Sequence, residues 1–308
     1  MNQTERVHIV MATYNGAKFL KEQIDSLLQQ TYKDITIEVC DDGSTDDTCE
    51  IVSQYMEQDD RISLHKNEKN LGYVMNFMEG IRRSDAEYIM LCDQDDIWNP
   101  NKVELTLQRM KQEESVTKDG PILVFADAMN YNSDTGEEMG RFHENSHLDV
   151  KKVDTAHLFM ENKCIGCTVM VNQQIQPYLS ELPDEIRVHD WWLALICSHF
   201  GKIAYVDEPT LLYRQHGGNM IGGSSFADYC KSRFTAIGEQ RETLKKTYRQ
   251  GRAFVHMFGD KMTEEQREIA EHFAGLSQAG WLKRRKDMVK YGYTKSGMTR
   301  NIGLFFLI

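Results

Sequence analysis

Tyr88-Ile89-Met90-Leu91-Cys92-Asp93-Gln94-Asp95-Asp96-Ile97-Trp98-Asn99-Pro100 is the stretch on which the reading of the fold turns. Its apolar half has the length and composition of a buried strand. Pro100 suits the first position of a following helix, where no N–H is needed. Between them stand three carboxylates in four residues. Like charges this close repel and raise one another's pKa, a cost that a divalent cation removes. Hard carboxylate oxygens suit Mg²⁺ or Mn²⁺, usually completed by substrate phosphates. An acidic turn capping the next helix explains the same residues, so taken alone the stretch leaves both readings open.

The flanking sequence weighs between them. Val7 to Ala12, Ile35 to Cys40 and Ile62 to His65 read as strands. Helices are predicted from Phe19 to Gln30, Asp46 to Tyr55 and Val74 to Arg83, the second capped by Thr and Asp. Strand and helix alternate with short links, which predicts a parallel sheet with right-handed crossovers. Ligands of such sheets bind outside the carboxyl ends of the strands. Thr13-Tyr14-Asn15, Asp41-Asp42 and Asp93 to Asp96 all fall at those ends, which favours a ligand site over a helix cap. Neither GxGxxG after the first strand nor GxxxxGK[ST] anywhere is present, so the usual dinucleotide and P-loop grips are excluded.

These motifs carry a resemblance. Thr13-Tyr14-Asn15, Asp41-Asp42-Gly43-Ser44-Thr45-Asp46-Asp47-Thr48, Asn70-Leu71-Gly72 and Asp93-Gln94-Asp95-Asp96-Ile97-Trp98-Asn99-Pro100-Asn101-Lys102 together look like the family 2 glycosyltransferases. The resemblance implies the GT-A fold, a Rossmann-like α/β architecture whose mixed, mainly parallel sheet is flanked by helices, and a nucleotide-sugar donor. By it, Thr13, Tyr14, Asn15 and Asp42 would bind the donor's nucleoside, Asp93 would lie near the ribose, and Asp95 would bind the metal bridging the diphosphate. It also implies inversion at the anomeric carbon.

Further along, Pro121 to Asp127 reads as a strand and Asn132 to Gly140 as a surface loop or hairpin. Cys164 and Cys167 form a C-x-x-C without a second pair, which argues against zinc. Gly166-Cys167-Thr168 resembles the family's sugar and acceptor pocket loop. In Val188-His189-Asp190-Trp191-Trp192, the residues alone offer Asp190 as a helix N-cap. The resemblance implies that it is the general base that takes the acceptor hydroxyl's proton. His189, Trp191 and Trp192 would then line the acceptor pocket, though core packing explains the tryptophans equally well. Two strands, Lys202 to Val206 and Thr210 to Arg214, lead to Tyr213-Arg214-Gln215-His216-Gly217-Gly218-Asn219. There the resemblance puts Arg214 by the donor diphosphate and His216 on the metal.

From Phe226 the pattern turns helical, with a capping box at Thr263-Glu264-Glu265-Gln266. The expected organisation is a glycosyltransferase domain over 1–222, with a nucleotide-sugar half at 1–98 and an acceptor half at 99–222, then a helical region over 223–308. The boundary is set near Gly222-Gly223-Ser224-Ser225. The chain has 308 residues and a net charge of −11, which argues against nucleic acid as a partner. Residues 281–308 hold seven Lys/Arg against one acid, so this tail is +6 and the remainder −17. A basic, aromatic tail suits peripheral contact with an anionic membrane.

Seven scattered cysteines suggest reduced thiols and a cytoplasmic chain, and the polar start predicts no signal peptide. With the basic tail, these features place the expected location at the inner face of the cell membrane. Within the family, the motif set looks most like rhamnosyltransferases of bacterial cell-wall or capsular polysaccharide assembly. That implies dTDP-L-rhamnose as donor and a lipid-linked saccharide as acceptor. A UDP-hexose or UDP-N-acetylhexosamine donor, a nucleotidyltransferase and a non-catalytic membrane-surface scaffold are the alternatives.

Overall fold

The computed structural model describes residues 5–117, 119–215 and 237–308. Strands β1 (Val7–Thr13), β2 (Ile35–Asp41), β3 (Ile62–Lys66) and β4 (Tyr88–Asp93) pair in parallel, in the order β3-β2-β1-β4. Helices α1 (Ala17–Leu28), α2 (Thr48–Met56) and α3 (Tyr73–Arg83) connect them. This first half matches the expectation because every element shows its own period. Val7, Ile9 and Met11 pack into one core with α1, while Val10 packs on the opposite face with α3. Gly80 lets α3 lie directly on the sheet, since a Cβ there would meet Val10 at 2.5 Å.

Beyond β4 the sheet turns mixed. The short β5 (Ile97–Trp98) follows the acidic turn at once and leads into α4 (Lys102–Val116). Strand β6 (Ile122–Asn132) forms a hairpin with β7 (Glu137–Arg141), so the polar segment after Asn132 is a hairpin rather than a loop. Two short helices follow, α5 (Phe142–Asn145) and α6 (Thr155–Met160). The three-residue β8 (Met170–Asn172) runs antiparallel to both β4 and β6 and joins the two halves.

After α7 (His189–Phe200) comes β9 (Lys202–Gln215), which is one 14-residue strand where two were expected. Its register against β6 shifts between Val206 and Pro209. A bulge absorbs the residues that read as a turn, and proline is tolerated there because it has no N–H to give the ladder. Strand β5 pairs with β9 through Ile97↔Leu212 and Trp98↔Leu211, so the acidic turn is gripped from both sides.

The C-terminal helices are α8 (Ile237–Phe258), α9 (Glu264–Gly275), α10 (Trp281–Tyr291) and α11 (Met298–Leu307). Thr263 caps α9 with the full reciprocal capping box. They pack on the same core as α6 and α7, with Phe159 stacked on Phe273 at 4.8 Å and Trp192 against Phe254 at 5.3 Å. The boundary placed near Gly222 to Ser225 lies outside the described residues, as do His216 and the helix start expected at Phe226.

Candidate functional site

The carboxyl ends of β1, β2 and β4 converge, and side chains bolt them together. Gln94 clamps the end of β1, accepting from Tyr14 N at 2.9 Å and donating to Tyr14 O at 3.2 Å. Gly16 is required beside that clamp, since a Cβ would stand 2.2 Å from Gln94 Oε1. Asn15 adopts φ 48° and accepts from Thr45 N at 2.8 Å, while its own N–H donates to Ser44 Oγ at 2.8 Å. Asp41 accepts from Thr13 Oγ1 and from the N–H groups of Gly43 and Ser44. These donors hold its carboxyl below the usual range against the pull of burial. Asp42 accepts from Leu71 N at 2.7 Å, Gly72 N at 2.8 Å and Asn67 Nδ2 at 2.9 Å, which ties down the Asn70-Leu71-Gly72 turn. Tyr14 is half exposed at the rim.

The acidic turn is different. Burial, Asp96, Asp95 and Asp190, in that order, push the Asp93 carboxyl well above its ordinary value. Burial and then Asp95 push Asp96 up to about 7. Asp96 Oδ1 accepts from Arg214 N at 3.2 Å, but its Oδ2 is buried with no hydrogen-bond partner. Oxygens of Asp93 and Asp96 and the Cys167 thiol lie within 4.8 Å of one another. The two carboxylates suit a hard cation, which would relieve the like charges and occupy the orphaned oxygen. The Cys167 thiol, pushed well above its ordinary value by burial, is not a hard-metal ligand, and Asp95 is not one of the three. The helix-cap reading fails here, because α4 begins at Lys102 with Asn101 as its cap residue.

Two cations, neither exposed, brace the turn from behind. Arg214 donates through Nε to Asp95 O at 2.7 Å and through Nη2 to Glu22 at 2.5 Å, and its guanidinium stacks over Phe19 at 4.7 Å. It was expected at the donor diphosphate; in the structure its guanidinium is taken up by Glu22 and the acidic turn. Lys102 has no exposed surface, donates to Cys167 O at 2.9 Å and lies over the Trp98 ring at 4.4 Å. Burial lowers its pKa to about 8. Sequence reading quoted Lys102 within the motif but gave it no role.

Lys102 thereby fixes the Gly166-Cys167-Thr168 turn, which reaches from the acidic cluster to Asp190. Asp190 is not the N-cap of α7: Val188 holds that position and Asp190 lies in the first turn. Its carboxylate accepts from Trp191 N at 2.5 Å and from Asn162 Nδ2 at 2.9 Å. Burial nevertheless pushes it up to about 7, with hydrogen bonds from Trp191, Asn162 and Gly166 pulling the other way. Gly166 admits nothing larger, since a Cβ would meet His189 Nε2 at 2.7 Å and Asp190 Oδ2 at 3.4 Å. His189 stacks on Phe77 at 4.1 Å with both ring nitrogens unpartnered, and burial drops its pKa to about 3, so it is a neutral wall. Tyr73 stands edge-on to it at 6.1 Å. Of the tryptophans, Trp192 is fully buried core, because α7 is apolar on all sides and packs against α8 as well as the sheet. Trp191 donates to Leu158 O at 2.5 Å and lines a cavity with Asn162. Neither tryptophan supplies an exposed sugar-stacking floor.

Residues 8–161, half of the chain, match the pattern described as Glycosyl transferase family 2. The chain belongs to that family. It is 29% identical to the dTDP-rhamnosyl transferase RfbG of Shigella flexneri over 70% of this chain and 74% of that protein. It is 30% identical to the uncharacterized glycosyltransferase MJ1057 of Methanocaldococcus jannaschii over 68% of this chain and 70% of that one. Among solved structures it resembles S. aureus TarS residues 1–349 in complex with UDP-GlcNAc (TM-score 0.54, 12% identity, 93% of this chain and 80% of that chain). The mannosyltransferase PcManGT from Pyrobaculum calidifontis, in complex with GDP-Man and Mn²⁺, is similar too (TM-score 0.52, 14% identity, 98% of this chain and 79% of that chain). The fold of this glycosyltransferase is GT-A.

Proposed function

We propose that this chain is a metal-dependent, inverting glycosyltransferase that moves a sugar, L-rhamnose from dTDP-rhamnose by our reading, onto a lipid-linked saccharide. The observation that carries the mechanism is the pairing of two carboxylate sites across one turn. The Asp93–Asp96 cluster stands on one side of Gly166-Cys167-Thr168 and the isolated Asp190 on the other. The nucleoside lies against Thr13, Tyr14, Asn15 and the turn held by Asp42, with Asp93 toward the ribose. Asp95 would hold the divalent cation, Mg²⁺ or Mn²⁺, with His216 as a further candidate ligand and the Asp93 and Asp96 oxygens beside it. When bound, the cation neutralises charge on the departing diphosphate. Arg214 and Lys102 act by position, keeping the acidic turn and the Cys167 carbonyl in place.

Asp190 takes the proton from the acceptor hydroxyl as that oxygen attacks the anomeric carbon from the face opposite the diphosphate. A carboxyl pushed to about 7 is a competent base near neutrality. Rhamnose rests on the similarity to the Shigella enzyme; a UDP-sugar remains the alternative, and the neighbour crystallised with UDP-GlcNAc supports keeping it. The test is thermal stabilisation by a panel of nucleotide sugars with Mn²⁺ or Mg²⁺. dTDP-rhamnose should give the largest shift, a UDP-sugar leading would replace the donor assignment, and no shift with any would sink the transferase mechanism.

We further propose that 1–222 acts as the catalytic domain and 223–308 as a helical appendage resting on the inner face of the membrane. Among the described residues no helix is long and apolar enough to cross a bilayer. Helix α11 shows solvent a stripe of Met298, Ile302 and Phe306, while α10 exposes Leu282 and Val289 on the two sides of Lys286 in sequence. Several of the tail's charges are already engaged inside the fold: Lys283 with Asp287, Lys290 with Glu268 and Arg300 with Glu161. The exposed apolar stripe therefore carries the membrane claim more than the net charge does. Removing the whole tail would also strip buried Tyr293, Leu304 and Ile308 from the core. The cleaner test is Phe306→Asp with Ile302→Asp: liposome binding should fall while thermal stability holds, and unchanged binding would end the claim.

A further inference from the structure

A cavity of about 390 Å³ lies behind the candidate base, between α6, the entry to α7 and the C-terminal helices. Asn162 and Trp191 line it, and both hydrogen-bond the Asp190 carboxylate from its wall. Leu244 on α8 and Leu304 and Leu307 on α11 give it an apolar side. The opposite side holds Arg187, whose guanidinium stacks over the Trp191 ring at 4.7 Å and donates to Thr247 Oγ1 at 2.5 Å.

Arg187 is anomalous. Arg300, the other arginine on the same cavity, donates to Glu161 at 3.0 Å. Among the described residues Arg187's side-chain hydrogen bond is to Thr247 and it makes no ion pair, although Glu161 and Glu239 also line the cavity. Burial lowers its pKa from the ordinary value, the mark of a cation losing water without gaining a counter-charge. Holding such a charge out of water is costly unless an anion completes it. A planar guanidinium fixed by stacking and one hydrogen bond still has donors to offer, and its fork geometry suits phosphate oxygens.

We propose that this cavity is the acceptor's anchoring site, with Arg187 binding the phosphate of an amphiphilic phosphosaccharide and Leu244, Leu304 and Leu307 receiving the start of its apolar chain. This rests on the transferase reading above and adds to it the residue that reads the acceptor's anionic group. The placement is coherent with the rest of the fold. Helix α11 exposes one stripe to solvent and turns Leu304 and Leu307 into the cavity. A ligand held there by its phosphate presents its sugar toward the Asn162 and Trp191 wall, whose groups bond the Asp190 carboxylate. Nothing is transferred at Arg187; it positions the acceptor.

The experiment is calorimetric titration of the whole chain with decyl phosphate below its micelle concentration, in EDTA. The chelator keeps the donor diphosphate site, which needs a cation, silent. Wild type should bind, and Arg187→Met, which keeps the stem over Trp191 but removes the charge, should bind roughly tenfold or more weakly. Arg187→Lys should recover part of the loss, and Lys290→Met, which removes a surface charge elsewhere, should change nothing. Equal binding by Arg187→Met, or by decanol in place of decyl phosphate, would overturn the proposal. Inorganic phosphate binding as tightly as decyl phosphate would overturn the amphiphilic ligand. Because no donor and no turnover enter the measurement, its failure leaves the transferase reading standing. Failure of that reading would show separately, as absence of stabilisation by any nucleotide sugar with Mn²⁺.

Discussion

The acidic turn and Asp190 both keep carboxylates from water, and they do it under opposite conditions. At the turn, burial is compounded by neighbours of the same sign: Asp93 feels Asp96, Asp95 and Asp190, and Asp96 feels Asp95. One oxygen of Asp96 is left with no donor. Around Asp190, burial is opposed by hydrogen bonds, among them those from Trp191, Asn162 and Gly166. The first arrangement keeps its like charges crowded even with Arg214 and Lys102 behind it, and a cation would complete it. The second lacks only a proton, and a carboxyl poised near neutrality can accept one from a substrate and return it to water. Under the proposed mechanism, similar desolvation suits one place to a metal and the other to a base, depending on what else is within reach.

The largest expected effect separates the two. Asp190→Asn keeps the shape and the Asn162 contact region but removes the proton acceptor. Turnover should fall by roughly 10²-fold or more with donor binding nearly intact. Asp95→Ala should do the reverse first, abolishing metal-dependent donor binding. Single-turnover rates and donor titrations with and without EDTA would distinguish them; wild-type turnover in Asp190→Asn, or donor binding indifferent to EDTA, would collapse the division of labour.

A middling effect concerns protons at the turn. Asp93 and Asp96 have raised pKa values, so the fold holds protons that an unfolded chain releases near pH ~4. Their contribution to stability is present at low pH and is lost as pH climbs toward about 7, where Asp96 titrates. A bound cation takes the protons' place. Mn²⁺ at about ten times its Kd should add roughly 1.4 kcal/mol at pH 8. At pH 5, where protons compete, the gain should be smaller. Thermal unfolding with and without Mn²⁺ at the two pH values measures this, and an equal gain at both would mean that the cation does not displace protons from this cluster. Asp96→Asn should shrink the difference.

The two regions also differed in how far the sequence exposed them. The donor half is built from elements each with its own period and cap, joined by turns whose residues touch residues near in sequence or at the next strand end. Asp41 with Ser44 and Asn15 with Thr45 are of this kind, so strand ends alone pointed to the candidate site. The acceptor half depends on partners far apart in the chain. Lys102 bonds the Cys167 carbonyl, 65 residues on, and Arg214 pairs with Glu22, 192 residues away. No periodicity carries such pairings. The same gap hid the partners of other residues, Glu22 on α1 for Arg214 and Phe254 on α8 for Trp192. A lysine inside the acidic motif, immediately after a proline and an asparagine, was the one legible hint of an internal counter-charge.

The smallest effect tests whether Asp190's poise is set by its hydrogen bonds. Asn162 Nδ2 donates to the charged form of the carboxyl at 2.9 Å and so pulls its pKa down against burial. Asn162→Ala removes that donor, and the pKa must rise. A hydrogen bond to a charged group contributes roughly 1.5–3 kcal/mol, so the shift is on the order of one to two pH units. The acidic limb of kcat against pH, expected near pH 7 in the wild type, should move upward by about that amount while the rate at high pH changes little. A purely structural role for Asn162 would lower the plateau and leave the limb where it was. A limb that moves down would mean that the group titrating in turnover belongs to the acidic turn, and the base would have to be sought there instead.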